Sequence, residues 1–156
     1  MPGPVPQTAY FLISYSHTEH NGRGADRDAD NWVIKFYRDL GRNVEALAAM
    51  PPDTRVGVLD REFWVEDDWI EGLPEALASS RVLVPLYSDR YFQSEACGRE
   101  WYAFATRPAD GSARGTQAPA IVPVLWDWMG PDSIHQAART VPIEYGGLDS
   151  YADLGL

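Results

Sequence analysis

Arg81–Phe104, RVLVPLYSDRYFQSEACGREWYAF, decides how the chain folds. Its first half, Val82-Leu83-Val84-Pro85-Leu86-Tyr87, is an apolar run of the length of one strand buried on both faces. Ser88-Asp89-Arg90 makes a polar turn, and an amphipathic helix follows. That helix carries Glu95 early and, further along, Glu100. Open α/β sheets bind ligands in the crevice at the carboxyl ends of their strands. A carboxylate a short way beyond such a strand end is well placed to face a ligand.

The chain alternates strands and helices on either side of this stretch. Tyr10–Tyr15 is a first strand, apolar on both faces, running through Ser16 into the polar loop His20–Gly24. Asp28 or Asp30 is expected to cap a helix that presents Trp32, Val33, Phe36, Leu40, Val44 and Leu47 at helical spacing. Pro51-Pro52 stops it. Arg55–Leu59 is a second strand, and Asp60–Trp69 reads as an exposed connection dense in charges and aromatics. A helix is predicted over Ile70–Ser80, with Pro74 in its first turn or two. Beyond the glycine- and serine-bearing loop 108–119, Ala120–Trp126 is a fourth strand. Pro123 within it implies a position whose amide the ladder does not need. Thr140–Tyr145 is expected as a short fifth strand, and Asp149–Leu154 as the start of a last helix. That helix is cut at Leu156, so the native protein is expected to continue. The alternation predicts a parallel, doubly wound sheet.

Composition narrows the function classes. A chain of 156 residues, 45% hydrophobic and 23% charged, fits one globular domain and no fibrous or disordered class. Such a chain buries roughly two thirds of its unfolded surface. The net charge of −10 argues against a nucleic-acid binder, which needs a clustered basic face. The single Cys97 excludes an internal disulfide framework and suits a reducing cytoplasm. No apolar run approaches the ~20 residues of a membrane span. MPGPVPQTAY lacks the basic and apolar regions of a signal peptide, and residues 1–8 read as an irregular lead-in. His17, His20 and His135 form no metal-ligand pattern with Cys97, and no phosphate-binding glycine loop is present.

Three boxes in order carry a resemblance. Tyr10-Phe11-Leu12-Ile13-Ser14-Tyr15-Ser16 is an apolar strand closing in Ser-Tyr-Ser. Leu59-Asp60-Arg61-Glu62 is a strand entering a charged loop. The third box is Ser80-Arg81, the strand to Tyr87-Ser88, and then Tyr91, Ser94, Cys97 and Glu100. Together they resemble a TIR (Toll/interleukin-1 receptor/resistance) domain over residues 9–156. The stretches Tyr91-Phe92…Cys97-Gly98-Arg99-Glu100-Trp101 and Ala120–Pro123 are most similar to bacterial TIR-like proteins of the FxsC type.

The resemblance implies a flavodoxin-like three-layer sandwich, with a five-stranded parallel sheet of order 2-1-3-4-5 and helices on both faces. It implies one of two uses. Many bacterial and plant members cleave NAD+ at the nicotinamide–ribose bond, with hydrolysis or cyclisation of the product and activation by self-association. Many animal members only assemble homotypically. NAD+ is then a substrate and no cofactor is called for. The catalytic glutamate of the family falls on Glu100. Two departures stand out: Ala96 sits where the family often has Trp, and Val65-Glu66-Asp67-Asp68 sits where its BB loop often has Pro-Gly.

Each candidate carries a plainer reading beside the functional one. On composition alone Glu100 is an ordinary surface glutamate, and the boxes around it favour the catalytic reading. Tyr15 and Ser16 close the first strand, and in this topology also border the crevice. Phe63 and Trp64 could stack on nicotinamide or adenine, while Trp69 reads as packing. Arg61 could hold the pyrophosphate or simply pair with Asp60 and Glu62. Tyr91 and Cys97 stand with Glu100 in the third box as substrate-contacting positions. Cys97 has no histidine beside it to activate it, and by itself reads as a small buried hydrophobe.

Overall fold

The computed structural model describes residues 9–16, 25–50, 54–59, 64–65, 68–69, 73–107, 120–130 and 132–143. The elements in chain order are β1 (Ala9–Ser14), α1 (Ala25–Leu47), β2 (Arg55–Leu59), β3 (Trp64–Val65), β4 (Asp68–Trp69), α2 (Leu73–Ser79), β5 (Val82–Tyr87), α3 (Asp89–Gln93), α4 (Glu95–Ala105), β6 (Ala120–Ile121) and β7 (Val124–Leu125). A 3-10 turn, Ala138–Thr140, follows.

The main sheet is parallel, in the order β2-β1-β5-β6, with β7 also paired to β5. The strand now labelled β5 is the central apolar run expected as the third strand, so the order 2-1-3-4 is met. The expected fourth strand is broken into β6 and β7, and the backbone explains why. Leu83 O accepts from Val122 N–H at 2.8 Å and Tyr87 O from Trp126 N–H at 3.0 Å. Alternate residues of a strand turn their polar groups to the same side, so Pro85 turns toward this edge as well. Pro85 has no N–H to offer, and the ladder lapses beside it; Pro123, next to the donor Val122, turns away from β5, at a position whose amide this ladder does not need. The expected fifth strand is not formed among the described residues. Thr140 ends the 3-10 turn and Val141–Ile143 run irregularly, while Glu144 and Tyr145 lie outside the described residues.

Register assigns the layers. Leu12 pairs with Val58 and Leu83, and these three pack beneath α2 and α4 with Ala76 and Phe104. Ile13 pairs with Leu59 and Val84, and these face α1 through Val33, Phe36, Tyr37, Leu40 and Val44. Strand alternation therefore sends adjacent residues of β1 to opposite layers, which gives the three-layer sandwich with helices on both faces.

Other expectations are corrected in detail. Helix α1 begins at Ala25, so Asp28 and Asp30 lie inside it rather than capping it. Trp32 and Leu47 fall outside its buried stripe and are exposed, whereas Tyr37 packs inward. Trp32 has Lys35 Nζ 5.1 Å from its ring, a cation–π contact that stands in for core packing. Within 60–69, Trp64 pairs with Trp69 and Val65 with Asp68 in an antiparallel ladder, so part of the expected connection is a small second sheet. Helix α2 starts at Leu73, with Pro74 at its second position; Ile70 and the expected last helix, Asp149–Leu154, lie outside the described residues. No helix among the described residues is long and apolar enough to cross a membrane.

Candidate functional site

The helix expected after β5 is two helices, and the break between them aims the site. Ser88 caps α3 by accepting Tyr91 N–H at 3.1 Å. Ser94, in extended conformation, ends α3 and caps α4 by accepting Cys97 N–H at 3.3 Å. A serine that satisfies a helix's orphan amides at its start fixes where the next helix begins. From that start, Cys97, Glu100 and Phe104 share the buried stripe of α4. Glu100 is thereby turned inward, toward the carboxyl end of the sheet.

There it meets Ser14, the last residue of β1. Ser14 Oγ donates to Glu100 Oε2 at 2.6 Å, and the same hydroxyl lies 3.1 Å from the Tyr91 hydroxyl. All three residues are buried, with Glu100 only 4% exposed. Burial pushes the Tyr91 hydroxyl well above its ordinary value of 10.0; the nearby Cys97, Glu100 and Tyr87 add to the rise, and the Ser14 hydrogen bond opposes it. At neutral pH Tyr91 is therefore a neutral phenol, and because Ser14 gives its one O–H to Glu100, Tyr91 is the donor in its hydrogen bond to Ser14 Oγ. Tyr87, at the end of β5, is also raised by burial, against the hydrogen bond it accepts from Trp101 Nε1 at 3.2 Å.

The third box is thus brought together: Tyr91, Cys97 and Glu100 line one interior locus at the carboxyl ends of β1 and β5. The first box contributes differently from expectation. Alternation places Tyr15 on the α1 layer, the opposite face of the sheet from Ser14. Ser16 is half-buried just past the strand end. Ser14 is the residue that reaches Glu100, and sequence reasoning passed over it. Its signal was parity: a hydroxyl on the same side as Leu12, in a strand otherwise apolar. Arg61 and Phe63 lie outside the described residues, and Trp64 is placed only through its backbone pairing with Trp69.

A cleft of about 250 Å³ opens on the outer side of α4, between Phe92, Trp101 and Tyr102 and the turn bearing His135. Tyr91 contributes to its wall, and Glu100 does not.

The chain matches the family described as TIR domain over residues 11–154. It belongs to the TIR-domain family. The match runs from β1 past the last described residue, so the strand end at Ser14 and the α4 carboxylate belong to the TIR domain proper. No curated protein matches the chain. Within this TIR domain the arrangement supplies a carboxylate, a hydroxyl donor and a phenol, close together and shielded from water.

Proposed function

We propose that this TIR domain cleaves NAD+ at the nicotinamide–ribose bond, with Glu100 as the essential carboxylate. The observation that carries the reading is the inward aim of Glu100. Burying a carboxylate costs free energy, and an outward-facing glutamate on α4 would avoid that cost. A carboxylate held inside by a strand-end hydroxyl, at the sheet end where α/β folds bind ligands, is a site candidate on physical grounds.

The chemistry suits one carboxylate. As the C1′–N bond breaks, its electron pair goes to the nicotinamide nitrogen, and nicotinamide leaves neutral without a general acid. Positive charge develops on the ribose, and a fixed carboxylate beside it stabilises that charge, as in glycoside cleavage. Water then attacks C1′ and loses a proton, giving ADP-ribose, or a ring nitrogen of the adenine attacks and gives a cyclic product. Ser14 holds the carboxylate in one orientation, so little reorganisation is needed when charge appears.

At 4% exposure Glu100 reaches a ribose only after neighbouring groups withdraw. Activity is therefore tied to a rearrangement, and self-association of TIR domains is the event we assign to it. The same closure supports a second reading, a non-catalytic module that assembles homotypically, with Tyr91 as a permanent plug. Nicotinamide release from NAD+, followed while protein concentration is raised, separates the two. Turnover per chain that climbs with concentration supports the enzyme. Self-association without any nicotinamide release supports the assembly module.

A further inference from the structure

The geometry points to the cleft outside α4 as a binding site for a planar nitrogen heterocycle about the size of a purine, separate from the Glu100 carboxylate. Its volume is about 250 Å³. A cavity of about 150 Å³ takes a benzene ring, so this one has room for a fused pair of rings. Phe92, Trp101 and Tyr102 give it flat aromatic walls, which stack on planar rings better than on saturated ones. At Gly98 the cleft has no side chain at all, and a Cβ there would meet nothing within 4 Å.

The walls are held in place before any ligand arrives. The Trp101 indole donates to Tyr87 at 3.2 Å, and the Tyr91 ring is buried with its hydroxyl bonded to Ser14. Preorganised walls lose little entropy on binding. The polar group is His135. Its Nδ1 accepts Ala137 N–H at 3.2 Å, so the neutral imidazole carries its proton on Nε2. That N–H is offered to an acceptor, which a ring nitrogen of the ligand supplies and a hydrocarbon does not. Tyr102, 67% exposed, leaves aromatic surface open at the rim for an occupant to cover.

The site rests on residues the NAD+ reading does not use, apart from Tyr91. Its ring walls the cleft while its hydroxyl bonds the serine that holds Glu100.

An NMR titration of the full chain with adenine tests the assignment, with cyclohexanol as the saturated control. Adenine is expected to move the signals of Gly98, the Trp101 indole and His135, with Kd on the order of 1 mM for about ten ring atoms. Cyclohexanol is expected to leave them in place. Gly98→Leu fills the cleft from a helical position with open space, and is expected to weaken adenine at least about tenfold, the 1.4 kcal/mol step of a lost stacking contact. Gly98→Ala gives an intermediate loss, and His135→Ala a loss of several-fold. Glu100→Gln leaves adenine binding unchanged whether or not Glu100 acts on NAD+. Equal shifts from cyclohexanol, wild-type affinity in Gly98→Leu, or shifts centred on Ser14 and β1 would overturn the assignment.

Discussion

Ser14 Oγ lies 2.6 Å from Glu100 Oε2 and 3.1 Å from the Tyr91 hydroxyl, so one strand-end serine joins the α4 carboxylate to the α3 phenol. Two helices and the central pair of strands converge on that atom. A hydrogen bond to a charged group contributes about 1.5–3 kcal/mol, more than a neutral one. Ser14→Ala is therefore expected to lower the unfolding free energy by about 2 kcal/mol, measured by urea denaturation. In a double-mutant cycle with Glu100→Ala, which removes the acceptor, the two effects should fall short of additive. Additive losses would mean that the serine and the carboxylate do not interact.

Tyr91 sets the behaviour at alkaline pH. Its folded-state value is raised above 10.0, so the folded protein holds this proton more tightly than the unfolded chain does. The contribution is whole below pH 10.0 and is lost as pH rises from there through the folded-state value. Stability should thus fall on the alkaline side, and Tyr91→Phe should flatten part of that fall. Tyr87 shares the direction and keeps the rest. At neutral pH Tyr91→Phe is expected to cost about 1 kcal/mol for the lost hydrogen bond. Denaturation midpoints across a pH series, for wild type and variant, check both statements.

Gly57 is set by a close approach. It pairs with Phe11 across β2 and β1, and a Cβ on it would sit 2.3 Å from Phe11 Cζ. Phe11 is 2% exposed and stands edge-on to Tyr37, so its ring has nowhere to retreat. Gly57→Ala is expected to destabilise by about 1–3 kcal/mol, the usual cost of overpacking. Thermal unfolding should show a drop of about 2–4 °C for each kcal/mol. A neutral or stabilising effect would mean that β2 shifts freely against β1.

Arg107 closes the end of α2. Its Nη1 donates to the carbonyls of Leu77, Ala78 and Ser80 at 2.8, 3.0 and 2.7 Å, and its guanidinium lies 4.5 Å from the Phe104 ring centroid. The last carbonyls of a helix have no partner of their own, and this side chain gives them one. Arg107→Ala is expected to cost about 1–2 kcal/mol by denaturation. Hydrogen exchange at α2 should quicken more than exchange in β1.

The parts of the fold legible in the sequence are those where one physical signal dominates. Val82–Tyr87 and Phe11–Ser14 are apolar on both faces, and a strand buried on both sides is the economical reading. Pro123 was legible as a position whose amide the ladder does not use, because a missing N–H is a property of the residue. The break itself, beside Pro85, was not, since that requires the register of β5 against β6 and β7. The turn at Ser94 was hidden because Gln93-Ser94-Glu95 sits comfortably inside a helix or at a cap, and packing chooses between them. Trp32 and Leu47 obeyed helical spacing yet fell outside the buried stripe, whose edge is set by how α1 sits on the sheet. At the site, Glu100 was legible from its box, and its partner Ser14 was overlooked beside the more conspicuous Tyr15-Ser16. The cleft was not legible, for it needs the turn at His135 laid against α4, and no local pattern records that contact.

The most direct test of the central claim is nicotinamide release from NAD+ by the wild type and by Glu100→Gln, run side by side at high protein concentration and followed by chromatography. Glutamine keeps the size of the side chain and its hydrogen bonding, and removes only the charge. The account predicts release by the wild type and loss of at least about a hundredfold in the variant, the scale of about 2.7 kcal/mol of charge stabilisation at a developing cation. Equal release by both proteins would contradict the role of Glu100. No release by the wild type, at concentrations where it self-associates, would contradict the enzyme itself.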